Sequence, residues 1–469
     1  MRKAHMILLF GLLGALVASG ASAQADFTKY VALGDSGTAG FASGGLTKAY
    51  QDGSFPAVLA HQFGIATFQQ PLVSDPGIPS VLILQALRVT SQGVSPVIVA
   101  KSTGTGAPLN ATLAGPYNNI GIPGANVNDL LTKTGNIQRL ATGQSTSATV
   151  MYDLILRDNT TTAIQQAIGA QGTFYTVTAG TNDALNTVLS GVVVDGITLT
   201  TKATFQEKYT ALVGALRQNR PAAGIIVATV PDVAALPFVT TVKPYLINPA
   251  TGAHIPLIGE SGVLTESDFV TLPASALIAR GIGVPAAAGG TGVPLPEGSI
   301  GATGLVAGVI LRASEVAAIR ARVAEFNAIV VAVAAQTGTK VFDVAALQQD
   351  ILAHGRVVGG VRLSASFLTG GLFSYDGIHL QNLGNAVYAN EWIKTINAAF
   401  GTEVPEVDLR ANLLGAAAAT TVLAGNTQFS IEAWEKLLDT LAPGLAKPSG
   451  RRVGGGIDTG VPASTTDIE

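Results

Sequence analysis

A serine hydroxyl attacks a carbonyl carbon only when a base takes its proton and a third group holds that base in place. The segment Gly34-Asp35-Ser36-Gly37 offers such a serine directly after an apolar run, Tyr30-Val31-Ala32-Leu33. Glycines flanking the Asp-Ser pair let the backbone turn sharply, so Ser36 is expected at the end of a strand. On its own the tetrapeptide reads equally well as a strand-ending turn with a helix-capping serine.

The candidate bases are few. Beyond residue 23 the histidines are His61, His254, His354 and His379. His61 falls in a helical pattern and is expected to be partly buried and satisfied. His354 precedes Gly355 at a helix end, where capping accounts for it. His254 lies in a long irregular stretch with no nearby acid. His379 alone has a carboxylate three residues before it, Asp376, with Gly377 between them. A strand would point those side chains apart, whereas a turn brings them together, so that Asp376 fixes the imidazole tautomer.

Acyl transfer also needs donors aimed at the developing oxyanion. Asn182 follows Thr176-Val177-Thr178-Ala179-Gly180-Thr181 and can present its side-chain amide at a strand end. Gly124, in Asn119-Ile120-Gly121-Ile122-Pro123-Gly124-Ala125, can present an unobstructed backbone N–H, and Gly121 is an alternative three residues earlier. The Ser36 N–H would be a third donor.

These residues must be held by a scaffold. Strand candidates are Tyr30–Leu33, Phe174–Thr178, Gly224–Val230 and Lys340–Phe342. Helical patterns cover Phe55–Phe63, Asn126–Leu131, Thr204–Gln218, Ala313–Gln336 and Leu383–Ala399, the last with Asn382 as a cap. Short apolar strands alternating with amphipathic helices predict an α/β fold, a parallel sheet covered on both faces. The chemistry-bearing residues fall just past strand ends, where such sheets bind ligands. Two stretches exceed this scaffold, near residues 66–120 and 232–312. The second reads either as surface decoration or as a lid or acyl-chain wall.

The ends read differently. Residues 1–23 have Arg2 and Lys3, an apolar stretch from Met6 to Ala18, and Ala21-Ser22-Ala23, the pattern of a cleavable secretory leader. The expected destination is periplasmic, envelope-associated or extracellular. Residues 401–447 form an extension in which Ser430–Leu441 is amphipathic, and residues 448–469 read as a disordered tail. Of the 469 residues, 48% are hydrophobic and only 12% charged, with a net charge of −3. No basic stripe is present, which argues against nucleic acid as a partner. With no cysteine, disulfides and thiol chemistry are excluded.

Together these segments resemble the SGNH hydrolases, the GDSL esterase/lipase family. Gly34-Asp35-Ser36, Gly124, Gly180-Thr181-Asn182-Asp183 and Asp376-Gly377-Ile378-His379 match its blocks in the family's order, over roughly residues 27–400. Gly37 stands where the family's name has leucine. The resemblance implies a three-layer α/β/α flavodoxin-like fold with large loop insertions over residues 24–400. It makes Ser36 the nucleophile, His379 the base and Asp376 its orienter, with an oxyanion hole of Ser36, Gly124 and Asn182. No metal or organic cofactor is called for. The expected partner is a small-molecule or lipid ester, with peripheral membrane contact and oligomeric state left open. An O-acetyl esterase acting on carbohydrate, an acyltransferase, and a non-catalytic envelope binding module are the competing readings.

Overall fold

The computed structural model describes residues 25–90, 93–301, 304–410, 413 and 428–445. The segments expected to be a leader (1–23) and a tail (448–469) lie outside them, as does much of the expected 401–447 extension. Five strands form the central sheet: β1 (Tyr30–Gly34), β2 (Asn119–Gly121), β3 (Phe174–Thr178), β4 (Gly224–Ala228) and β5 (Lys340–Phe342). They lie in the order β5-β4-β3-β1-β2, and every pair is parallel. This is the flavodoxin-like 2-1-3-4-5 order, whose switch point falls between β1 and β3. Tyr30 pairs with Phe174 and Gly34 with Thr178 across that junction.

Alternation along β1 explains the three layers. Tyr30 and Ala32 face a core built with the Phe55–Gln62 and Asn382–Phe400 helices, including Trp392. Val31 and Leu33 face the opposite core, with Leu130, Ala167, Tyr209 and Phe326 from helices on the other side. Each face buries a continuous apolar surface, which is what keeps a parallel sheet stable in water.

The expected helices appear at Phe55–Gln62, Val127–Thr132, Lys202–Asn219, Ala313–Thr337 and Asn382–Phe400. Others carried no clear sequence pattern, notably Asn182–Ser190 and Val344–His354. The excursion after residue 66 folds into an antiparallel hairpin, Leu82–Thr90 with Gly93–Ala100, and then delivers β2 into the central sheet. This strand, Asn-Ile-Gly, has a single apolar residue among Asn, Gly and Pro neighbours, so no apolar run marked it in the sequence. Residues 232–312 form short antiparallel pairs held by Arg312, which bridges Asp268 (3.2 Å) and Glu297. Their connection to the sheet is anchored by Asn327: its Oδ1 accepts from Val230 N–H at 2.7 Å and its Nδ2 donates to Val230 O at 2.9 Å.

Three smaller expectations are corrected. His254 does have an acidic neighbour, Glu266 Oε1 at 2.6 Å, because the antiparallel pairing of Ile258–Gly259 with Gly262–Val263 folds the chain back between them. His61 is exposed, its ring Nδ1 lying 3.0 Å from Gln62 Oε1. Asn382 is the first residue of its helix rather than the cap, and its side chain instead donates to Ala49 O at 3.0 Å.

The Asn182–Ser190 helix is tied at its start to the Val127–Thr132 helix. Asp183 Oδ2 accepts the Val127 N–H at 3.0 Å, with the carboxyl 2% exposed. Burial pushes this carboxyl up to about 7. The folded protein therefore holds a proton that the unfolded chain has lost, and stability must fall as pH rises between the unfolded and folded values. The expected cost at neutral pH is on the order of 4 kcal/mol. An Asp183→Asn variant keeps an acceptor for Val127. Its stability advantage in urea unfolding should grow by about that amount between pH 4 and pH 7, and flat curves for both proteins would refute the assignment.

Candidate active site

The turn after β1 presents Ser36. Asp35 is extended and caps the short Ser36–Ala39 helix, its Oδ1 accepting from Gly37 N–H at 3.0 Å. Burial pushes the Asp35 carboxyl above its ordinary value. A capping role for this aspartate fixes the backbone on which the next side chain is carried.

His379 reaches Ser36 from the far end of the chain. Its Nε2 lies 2.8 Å from Ser36 Oγ and its Nδ1 2.9 Å from Asp376 Oδ2. With Nδ1–H donating to the carboxylate, Nε2 is left to accept the serine proton. Gly377 takes a φ of +70°, the left-handed turn that brings residues 376 and 379 together. The turn is closed by Ser374 N–H donating to His379 O at 2.8 Å. The edge of Phe41 meets the imidazole, with ring centroids 5.0 Å apart.

Asp376 is fully buried, and its two oxygens are surrounded by donors. Oδ1 accepts from Ser374 Oγ–H (3.0 Å), Ile378 N–H (2.9 Å) and His379 N–H (2.9 Å). Oδ2 accepts from Gly44 N–H at 2.9 Å as well as from the imidazole. Burial alone would raise this carboxyl, but His379 and the N–H groups outweigh it and hold it below its ordinary value. Ser43 locks the two loops together: its N–H donates to Ser374 Oγ at 2.8 Å and its Oγ accepts from Tyr375 N–H at 3.3 Å. Sequence reasoning missed Ser43, Gly44 and Ser374. Ser374 was within reach of it, two residues before the acid; the backbone donor of Gly44 leaves no trace in side-chain identity.

The donor side is built by β2 and by the Asn182–Ser190 helix. Asn182 is 1% exposed, and its Nδ2 donates to Ala125 O at 2.9 Å, next to Gly124. One amide N–H thus holds the turn that carries Gly124. Of the two candidate glycines, Gly121 has its N–H engaged by Asn119 Oδ1 at 3.0 Å. Gly124 takes a φ of +80°, and among the described residues its N–H has no acceptor. Gly124 is therefore the glycine free to donate.

A cavity of about 190 Å³ opens beside Ser36 and His379. Its walls are mostly apolar, with Phe41, Leu236, Leu347, Ile351, Phe373 and Leu380 among them. The main wall is the Val344–His354 helix, which Gln348 straps to the loop after β4 by donating to Asp232 O (3.0 Å) and accepting from Asp232 N–H (2.7 Å). Of residues 232–312 only Ala235 and Leu236 line it, so the long insertion supplies little of the wall. Among the described residues, no three His, Asp or Glu side chains cluster as metal ligands, and no helix is long and apolar enough to cross a membrane.

No curated protein sequence matches the chain. Similar solved structures include a variant of an acetyl-xylooligosaccharide esterase from Geobacillus (12% identity, TM-score 0.35, covering 82% of this chain and 98% of that one). Others are a phospholipase A1 from Streptomyces albidoflavus (14%, TM-score 0.30, covering 78% and 98%) and an extracellular lipase from Streptomyces rimosus (15%, TM-score 0.30, covering 79% and 99%). At such scores these likenesses bear on neither site nor substrate. The profile of the family described as GDSL-like Lipase/Acylhydrolase, however, matches residues 30–392. That span holds β1, the central sheet and both halves of the Ser36–His379 pair, and the chain belongs to the GDSL-like lipase/acylhydrolase family of ester hydrolases.

Proposed function

We propose that this protein is an exported serine ester hydrolase that cleaves carboxylic esters with an apolar acyl group through an acyl-enzyme on Ser36. The observation that carries the reading is the unbroken Ser36–His379–Asp376 chain, with contacts of 2.8 and 2.9 Å, opening on an apolar cavity. Ser36 Oγ attacks the ester carbonyl as His379 Nε2 takes its proton, and Asp376 stabilises the resulting imidazolium. The Ser36 and Gly124 N–H groups and the second N–H of Asn182 are assigned to the oxyanion. His379 then passes its proton to the leaving alcohol, and a water deprotonated by the same imidazole hydrolyses the acyl-enzyme.

The cavity favours an acyl chain over a sugar. Leu347, Ile351 and Leu380 offer surface that gains from burying methylenes, at about 0.8 kcal/mol each. Both tryptophans, Trp392 and Trp434, are fully buried, so neither can stack on a carbohydrate ring. Export rests on the basic start, apolar stretch and small residues of positions 1–23.

Substituting Ser36→Ala should abolish hydrolysis of p-nitrophenyl esters, and Asp376→Asn should lower kcat by roughly 10⁴. For Asn182→Ala a loss of about 10²–10³ in kcat is expected. Persistence of wild-type turnover in the Ser36 variant would end the serine-hydrolase reading. In a chain-length series the wild type should prefer an acyl chain of several carbons over acetate. Leu347→Trp should shift that preference towards acetate while leaving acetate turnover nearly intact; an unchanged profile would place the acyl chain elsewhere.

A further inference from the structure

The C-terminal segment lies beyond residues 30–392 that the family match covers, yet it packs against the Gly124 turn and the Gly44 loop. It consists of a short strand, Gln428–Phe429, parallel to Gly93–Ala100, and the Ile431–Leu441 helix. Its apolar face is lost from water completely: Phe429, Trp434, Leu437 and Leu441 are all 0% exposed.

Four of its contacts each bear on a different piece of the catalytic apparatus. The backbone of Thr440 and Leu441 lies against Gly124, where a Cβ would come within 2.7 Å of Thr440 O. Leu437 packs on Gly44, a Cβ there being 3.5 Å from Leu437 Cδ2, and the Gly44 N–H is a donor to Asp376. Trp434 Nε1–H donates to Leu189 O at 3.2 Å, near the end of the helix that begins with Asn182. Phe429 meets the edge of Phe238 (centroids 6.4 Å apart), and Phe238 N–H donates to Gly377 O at 2.9 Å. None of these C-terminal side chains lines the cavity.

We infer that residues 428–445 are a positioning clamp for catalysis, setting the Gly124 turn and the Asp376 loop without touching substrate. The inference rests on the reading of Ser36 as nucleophile. Oxyanion donors and the acid–base pair act through geometry held to fractions of an ångström, so a loosened clamp lowers transition-state stabilisation while substrate binding in the separate apolar cavity persists.

The test uses full-length protein with p-nitrophenyl butyrate, well below the melting temperature of each variant. Leu437→Ala and the milder Leu437→Val remove the contact with Gly44, Leu437→Met conserves its bulk, and Ile396→Ala cuts an equally buried side chain on the opposite face of the sheet. Leu437→Ala should lower kcat at least tenfold with KM within twofold, Leu437→Val should fall between it and wild type, and Leu437→Met should recover at least half of the wild-type kcat. Ile396→Ala should lose thermal stability yet keep kcat within twofold. If the alanine variant does not fold, the valine and methionine variants decide alone, with a graded loss of kcat expected. Wild-type kcat in folded Leu437→Ala or Leu437→Val overturns the clamp, as does a kcat loss in Ile396→Ala that matches theirs. Ser36→Ala run in parallel separates the two readings: residual turnover there refutes the hydrolase assignment, whereas Ser36-dependent turnover that ignores Leu437 refutes only the clamp.

Discussion

A carboxylate taken out of water has to be met by hydrogen-bond donors, and the site is arranged around meeting that demand at Asp376. Two backbone N–H groups of its own turn, a serine hydroxyl, the Gly44 amide and the His379 imidazole all point at its two oxygens. Each donor left unmatched would cost roughly 1–3 kcal/mol, and more for a charged acceptor. Satisfying the charge therefore fixes the 374–379 turn, joins it to the loop after Ser36, and aims the imidazole at the serine as a by-product. The orienting acid is thus the structural centre of the site as well as its electrostatic anchor.

The sheet supplies the complementary constraint. Because the chain leaves the paired strands β1 and β3 in opposite directions across the sheet, to β2 and to β4, the turns that follow them diverge and leave a crevice at their carboxyl ends. Ser36 and Asn182 both emerge there, one on each side of the gap. The turn after β2 closes it from the flank, stitched to Asn182 through Ala125 O. The apolar cavity then extends away from the crevice beneath the Val344–His354 helix. Ser36 and His379 form one end of that cavity and the Val344–His354 helix its main wall, so the two ends are carried by different elements.

Much of this was legible in the chain because side-chain identity carried the information. Ser36, Asn182, Asp376 and His379 stand out as motif residues, and the other four strands of the central sheet fall within apolar runs. What escaped reading shares one physical trait: it depends on backbone groups or on contacts across large separations. β2 has one apolar residue and is defined by its pairing with β1, the Gly44 N–H could belong to any residue, and the wall formed by Leu347 and Ile351 shows only once its helix is docked. The amphipathic face of residues 430–441 was readable, but what covers that face was not. His254 shows the same limit, since its partner Glu266 is adjacent only through a hairpin.

The separation between Ser36 and His379, 343 positions, has a consequence for how the protein comes into being. A contact that closes so long a loop forms only after the intervening strands have been ordered, because the entropy of closure is otherwise not offset. No fragment emerging early from the ribosome holds Ser36 and His379 together, so under the proposed mechanism a partly made chain is chemically silent. Turnover in this protein is consequently a property of the finished topology, and the appearance of activity marks the completion of folding rather than the formation of any local unit.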